Sequence, residues 1–276
     1  MSKIEWTNET WNPIIGCNKI SEGCQNCYAE KMAYRLRCMA LAKDSCSKLD
    51  FYVYVVDDSE KWNGKTLFIE NALNIPAKWK NTRMIFVCSM SDLFHEKNSF
   101  DDILQIWDIM CQTPRHTFQV LTKRPGRMLE FYRWLGQKVK DDGFDSIPSS
   151  SSNPLDYIGT PYHIWIGVTT ENQKTANERI PILLQIPAKI HFISAEPLLE
   201  NINLLEACQI KFLNWLNNNE TQYGLQWVIA GPETGSKSRS MKKEWIESLY
   251  NQCKEANVPF FDKKDILRLN IQEFPK

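Results

Sequence analysis

The chain has 276 residues, enough for one large barrel-type domain or two ordinary ones, and its 43% hydrophobic share supplies a packed core. Lys plus Arg balance Asp plus Glu at 33 against 33, which excludes a global electrostatic pull on nucleic acid. No apolar run approaches the ~20 residues of a membrane helix and the first residues lack the build of a signal peptide, so a cytoplasmic protein with one domain over 1–276 is expected. Nine cysteines, an odd and unevenly spaced set, do not form a disulfide framework in a reducing compartment.

The first chemical signal in chain order is GCNKISEGCQNCYAEKMAYRL, residues 16–36, with cysteines spaced C-x6-C-x2-C. Gly16 and Gly23 each precede a cysteine and Ser21-Glu22-Gly23 has loop composition, so Cys17 and Cys24 belong to an irregular loop. Beyond Cys27 the apolar positions Ala29, Met32, Ala33 and Leu36 have helical spacing. Cys27 is therefore expected at a helix N-terminus, where peptide dipoles favour a thiolate. A structural zinc ion needs a fourth ligand. On an unbroken helix Cys38 stands roughly 16 Å from Cys27, too far to share an ion, which leaves Cys46 or His95 as the zinc alternative. Three thiolates with one open position suit an iron–sulfur cluster better.

Residues 44–65 hold an aromatic and β-branched patch, FYVYVV, expected as an extra hairpin strand or as part of a partner surface. From residue 80 a rhythm sets in. Short apolar runs at Met84–Val87, Phe118–Leu121, Ile164–Val168, Ile190–Ile193, Trp227–Ala230 and Val258–Phe261 each end in polar residues, and amphipathic stretches separate them. The pattern predicts an α/β fold, a partial or complete (β/α) TIM-like barrel with about six core parallel strands and the cysteine loop at its C-terminal rim, with a three-layer open sheet as the alternative. Ile103, Ile106, Trp107 and Met110 share one helix face, and Trp245, Leu249 and Cys253 another. Cys88, Cys111, Cys208 and Cys253 are expected as small core hydrophobes. The Ser-, Asp-, Gly- and Pro-rich stretch 138–160 marks an insertion.

The polar ends of the runs would gather on one rim. Lys237, Arg239, Lys242, Lys243, Lys263 and Lys264 would form a local basic patch near it, suited to phosphate contacts. His95 is expected as a surface or capping histidine.

The cysteine loop resembles the cluster loop of radical S-adenosylmethionine enzymes, with six residues between the first two cysteines where the commonest form has three. A more specific likeness, to an uncharacterised, phage-associated family defined by a three-cysteine motif, runs through KIEWTNETWNPIIGC, SEGCQNCYAE, FVCSMSDLFHE, VLTKRPGRM, WIGVTTENQ, FISAEPLL and WVIAGPETG. The resemblance implies that Cys17, Cys24 and Cys27 ligate a [4Fe–4S] cluster whose fourth iron is chelated by S-adenosyl-L-methionine, and that one electron releases methionine and a deoxyadenosyl radical. By analogy with that superfamily, Ser89, Ser91 and Asp92 would accept the cofactor's ammonium, Lys123 or Arg124 would meet its carboxylate, and Glu171 and Asn172 its ribose. Helix capping is the competing role for Asp92 and Glu171. Glu196 and Glu233 would position substrate or stabilise the cofactor, although Pro232 stands where the family tends to have a second glycine. An electron donor, a dedicated partner protein, and a nucleic acid or nucleotide substrate complete the expectation.

Overall fold

The computed structural model describes residues 4–42, 49–141, 159–208 and 224–275. Six strands form where the apolar runs stand: β4 (Met84–Val87), β5 (Thr117–Thr122), β6 (Ile164–Thr169), β7 (His191–Ala195), β8 (Trp227–Ala230) and β9 (Phe260–Asp262). A seventh, β1 (Glu9–Trp11), pairs beside β4, and the sheet runs β1-β4-β5-β6-β7-β8-β9 with every pairing parallel. The sheet is curled and its edge strands β1 and β9 are not paired with each other, so the architecture is a partial barrel. Among the described residues no helix is long and apolar enough to cross a membrane.

Helices α5 (Phe100–Gln112), α6 (Pro125–Asp141), α7 (Gln173–Leu183) and α8 (Lys243–Glu255) cover the outer face. Their starts are written locally. Ser99 accepts the Asp102 N–H while Asp101 and Asp102 fill the first turn of α5, and Asn172 with Thr175 forms a capping box on α7. Pro125 opens α6, where its missing N–H costs nothing.

Side chains alternate across each strand, and so divide between two cores. Ile85, Val87, Phe118, Val120, Ile164, Ile166, Val168, Ile193 and Val228 pack outward against Ile103, Ile106, Trp107, Met110, Phe131, Ile180, Leu249 and Cys253. Phe86, Phe192, Trp227, Ile229 and Phe261 turn the other way and fill the concave side together with Trp6, which reaches in ahead of β1. Burial of each such side chain is worth about 1.5–3 kcal/mol. Gly167 on β6 lies under the Phe192 ring, where a Cβ would stand 2.6 Å from ring carbons. On the outer edge of β9, Ile271 and Glu273 exchange backbone hydrogen bonds with Asp262 and Phe260, and Gln272 faces Phe261 in an antiparallel bridge.

A smaller layer sits over the rim. It contains the antiparallel pair β2 (Ile14–Ile15) and β3 (Leu67–Phe68), then α1 (Tyr28–Leu41) and α2 (Phe51–Val55); α3 (Glu70–Leu73) and α4 (Ile75–Lys78) lead from it back to the sheet. The aromatic patch expected as a hairpin strand is the helix α2: Val55 and Val56 are buried with Ala29, Ala33 and Trp62, and packing on α1 overrides β-propensity. The insertion expected from residue 138 begins later, because α6 continues to Asp141; residues 142–158 lie outside the described residues.

Candidate functional site

The loop between β2 and α1 carries Cys17, Cys24 and Cys27, and all three border one cavity at the C-terminal ends of the strands. Gly16 holds φ +93°, and a Cβ there would lie 2.2 Å from the Lys65 carbonyl, so only glycine brings the loop this close to the layer beneath. Its carbonyl accepts the Ser91 hydroxyl at 2.6 Å. A single 3-10 turn (Glu22–Cys24) places Cys24, and Cys27 is the N-cap of α1. That position matches the helical spacing, but the electrostatic sign does not. Burial pushes the Cys27 thiol up and outweighs the N–H groups of Glu30 and Ala29 and the charge of Lys123; burial with nearby Asp92 pushes Cys17 up to about 12. Without a metal these are protonated thiols, not ready nucleophiles.

Three carboxylates from three strand ends tie this loop down. Asp92, after β4, accepts the Thr122 hydroxyl at 2.7 Å and, at 3.0 Å, the N–H groups of Phe94 and Lys123 and Nη1 of Arg124. Arg124 in turn binds Glu96 at 2.8 Å and grips Asn18 Oδ1 next to Cys17. Glu171, after β6, is sealed from solvent. Its Oε1 accepts the Ser21 hydroxyl at 2.6 Å and its Oε2 accepts Arg179 Nη1 at 3.0 Å. Burial alone would raise its pKa, yet Lys123, Arg179 and the Ser21 hydroxyl together hold it below the ordinary value. Gly23 lies directly on it, since a Cβ would be 2.4 Å from Glu171 Cγ and Oε1. Glu233, after β8, takes Arg239 through both oxygens, at 2.6 and 3.0 Å, and Asn26 Nδ2 at 2.9 Å. Arg239 also donates to the Glu22 carbonyl at 2.9 Å. The hydrogen bonds from Arg239 hold the Glu233 carboxyl at about 2.

Of the residues expected around a cofactor, Ser89, Ser91, Asp92, Lys123, Arg124 and Glu196 do border the cavity beside the three cysteines. Several are already engaged, as Ser89 donates to Asn12 Oδ1 at 3.1 Å and Ser91, Asp92 and Arg124 make the bonds given above. Glu171, Asn172 and Glu233 do not border it: the first and last hold the loop, and Asn172 caps α7. Neither Asp92 nor Glu171 is a helix cap. Lys123 Nζ stands 3.8 Å from Glu171 and lines the cavity. Glu196 Oε2 receives Trp6 Nε1 at 3.4 Å and Lys263 Nζ at 3.3 Å.

Sequence reasoning missed Trp6, Tyr28 and Trp62 on the cavity wall, and Lys263, expected in a basic patch near the rim, lies there too. Tyr28 had a signal, since it follows Cys27 in the first helical turn, and its hydroxyl donates to the Ser89 carbonyl at 3.0 Å. Cys88, expected in the core, is buried and also borders the cavity. His95, expected as a surface or capping histidine, is 2% exposed and its Nδ1 accepts the Lys97 N–H two residues on, and burial lowers its pKa. Cys38 is exposed near the far end of an unbroken α1, and Cys46 lies outside the described residues.

The expected basic patch is largely neutralised. Arg239 pairs with Glu233, Lys243 with Glu247, Lys263 with Glu196 and Lys264 with Glu5. Lys242 lies over the Trp245 ring.

Among the described residues no three His, Cys, Asp or Glu side chains are gathered closely enough to share a single metal ion. The cavity wall carries the loop thiols Cys17, Cys24 and Cys27 and the buried Cys88, with room beside them bordered by Lys123 and Glu196. No curated protein and no solved structure matches this chain. A family model does match, over residues 1–265, and the chain belongs to the family it defines, described as "Protein of unknown function (DUF5131)".

Proposed function

We propose that the chain is a radical S-adenosylmethionine enzyme, with Cys17, Cys24 and Cys27 holding a [4Fe–4S] cluster and the adjoining cavity taking S-adenosyl-L-methionine. The observation that carries the reading is the placement of all three thiols on one cavity wall, by a loop anchored at three points to strand-end carboxylates. A single zinc ion with bonds of about 2.3 Å draws its sulfurs to within about 3.8 Å of one another, whereas in a cluster each thiolate serves its own iron and the sulfurs stand wider. Three thiols around an open space suit the second arrangement.

Cys17, Cys24 and Cys27 would hold the cluster, and the bound pair of groups would supply one-electron reductive cleavage of a sulfonium and, through it, hydrogen-atom abstraction from a substrate. The chain's own residues do the rest. Asp92, Glu171 and Glu233 fix the loop, so the thiols need little reorganisation to receive the metal. Lys123 places a positive charge beside them. Trp6, Phe86 and Leu121 present an apolar floor that limits water near a radical. An electron donor outside this chain is required. With four of the C-terminal cations paired to carboxylates, a nucleotide or other small substrate suits the site better than a long nucleic acid.

The test is anaerobic purification with iron and sulfide analysis, followed by electron paramagnetic resonance of the reduced protein with and without S-adenosylmethionine. A reduced-cluster signal that shifts on adding the cofactor is expected, and is lost in the Cys17→Ala, Cys24→Ala and Cys27→Ala variants but retained in Cys38→Ala. Zinc without iron would sink the reading in favour of a structural metal protein.

A further inference from the structure

Helix α1 carries its large apolar side chains on the solvent side. Its small residues face inward: Ala29, Ala33 and Ala40 are buried, the first two against Val55, Val56 and Trp62. Tyr28, Met32 and Met39 point the other way and are 49%, 43% and 51% exposed. At 3.6 residues per turn these three and Arg35 lie within about 60° of one another around the helix, in a stripe about 16 Å long. Of the apolar positions that announce α1 in the sequence, Ala29 and Ala33 therefore serve the core and Met32 does not. A contiguous apolar face left in solvent marks an interaction surface, and aromatic, Met and Arg side chains are the types enriched at the centre of one.

Place and charge narrow the partner. The stripe starts one residue after Cys27, and Tyr28 both reaches solvent and borders the cavity. Lys31 and Arg35 are exposed beside it and pair with no carboxylate among the described residues. Lys31 lies over Gly235, where a Cβ would stand 3.3 Å from Nζ, and so adjoins the loop that carries Lys237, which is likewise exposed and unpaired among the described residues. The neighbouring acids are engaged. Glu30 takes Lys19, Asp58 takes Arg37, and Glu22 faces Arg239, which also donates to its carbonyl. A two-fold pairing of this face would set its cations against the same cations of the copy, whereas an acidic partner meets them with opposite charge.

We propose that the outward face of α1 is the docking surface for a small acidic one-electron carrier protein, which reduces the metal held by Cys17, Cys24 and Cys27. The inference rests on the proposed cluster and assigns the place where its electron arrives. Residues 28–35 lie within about 12 Å of Cys27 along the helix. Encounters of this kind need only a small interface, below about 1,200 Å², which suits a face of one helix. The reduced carrier loses one electron, the oxidised metal centre gains it, and no bond or proton changes hands.

The experiment sets wild type beside the double variant Lys31→Glu, Arg35→Glu, with a bacterial flavodoxin as the acidic carrier. Binding is read by interferometry on metal-free, anaerobic protein at low and high salt. Cluster reduction in the reconstituted protein is followed in the visible spectrum, with flavodoxin hydroquinone and, separately, with dithionite, which needs no docking surface. The double variant is expected to bind flavodoxin, and to be reduced by it, roughly tenfold more weakly and slowly, and high salt should weaken wild type in the same way. Its dithionite rate, iron content and melting temperature should match wild type. Equal binding and equal flavodoxin rates overturn the proposal, and so does a dithionite rate that falls in parallel, which would place the effect at the metal. A wild type that sediments as a dimer and is made monomeric by Met32→Glu gives the face to a second copy and also overturns it. If no cluster assembles, the cofactor reading fails on its own and the binding data still judge the surface: salt-sensitive binding that the double variant loses keeps an acidic partner there, and no binding removes it.

Discussion

Replacing Glu171 by Gln separates a loop anchor from a ligand contact. The side chain is fully buried, its Oε2 meets Arg179 at 3.0 Å, and Arg179 is itself only 8% exposed. Removing one partner of a buried ion pair costs about 3–5 kcal/mol. The lower end applies here, because Arg179 keeps the Thr169 carbonyl at 2.7 Å and the glutamine oxygen can still accept from Ser21. At about 2–4 °C per kcal/mol for a chain of this size, the melting temperature should fall by roughly 6–12 °C. The loop should loosen with it, so alkylation of Cys24 in metal-free, anaerobic protein should quicken. The sign with pH follows from a carboxyl held below its ordinary 4.5: its contribution is complete above that value and is lost as pH falls through the folded-state pKa. A variant that melts with wild type, keeps slow alkylation and loses only cofactor affinity would refute the anchor and restore Glu171 to the ribose.

Arg239→Gln should destabilise by about 1 kcal/mol at pH 7, a modest figure because Arg239 is about a third exposed. With Glu233 held at about 2 in the folded protein, the gap between variant and wild type in urea titrations should be full above pH ~4.5 and close as pH falls toward 2. Gly167→Ala forces a methyl into the Phe192 ring and should cost about 1–3 kcal/mol without changing iron content, as read from chemical denaturation beside iron analysis. His95 and His116 are buried with pKa values held below 6.5, first by burial, so the unfolded chain binds protons before the folded one does. Stability should therefore decline as pH drops below about 6.5, and His116→Gln should flatten part of that slope between pH 7 and 5.

The six apolar runs were legible because a parallel strand buried on both faces leaves no polar alternation, and the start of α1 was legible because its apolar positions keep helical spacing straight after Cys27. Strand β1 was not, since three residues carry too little periodicity to stand out. At the rim the sequence displays which residue types end each strand but not what they face. Ser21 meets Glu171 across 150 positions and Asn26 meets Glu233 across 207, so the sequence does not display that these carboxylates fasten the cysteine loop. The C-terminal cations misled for the same reason, since their acidic partners lie in other segments. Thiol acidity depends on burial against dipole, and only the folded packing decides that contest.

A curled sheet that stops short of closure leaves two strands whose outward N–H and C=O groups could recruit a neighbour's chain. At β9 the protein has met that hazard itself. Ile271 and Glu273 take up the Asp262 and Phe260 backbone groups, and the Glu273 carbonyl also receives the Trp227 indole N–H at 2.8 Å, which fastens the covering segment to the concave core. Shortening the chain before residue 271 should therefore be felt less as lost fold than as lost solubility, since the sheet would persist while a row of unsatisfied donors and acceptors became a template for self-association.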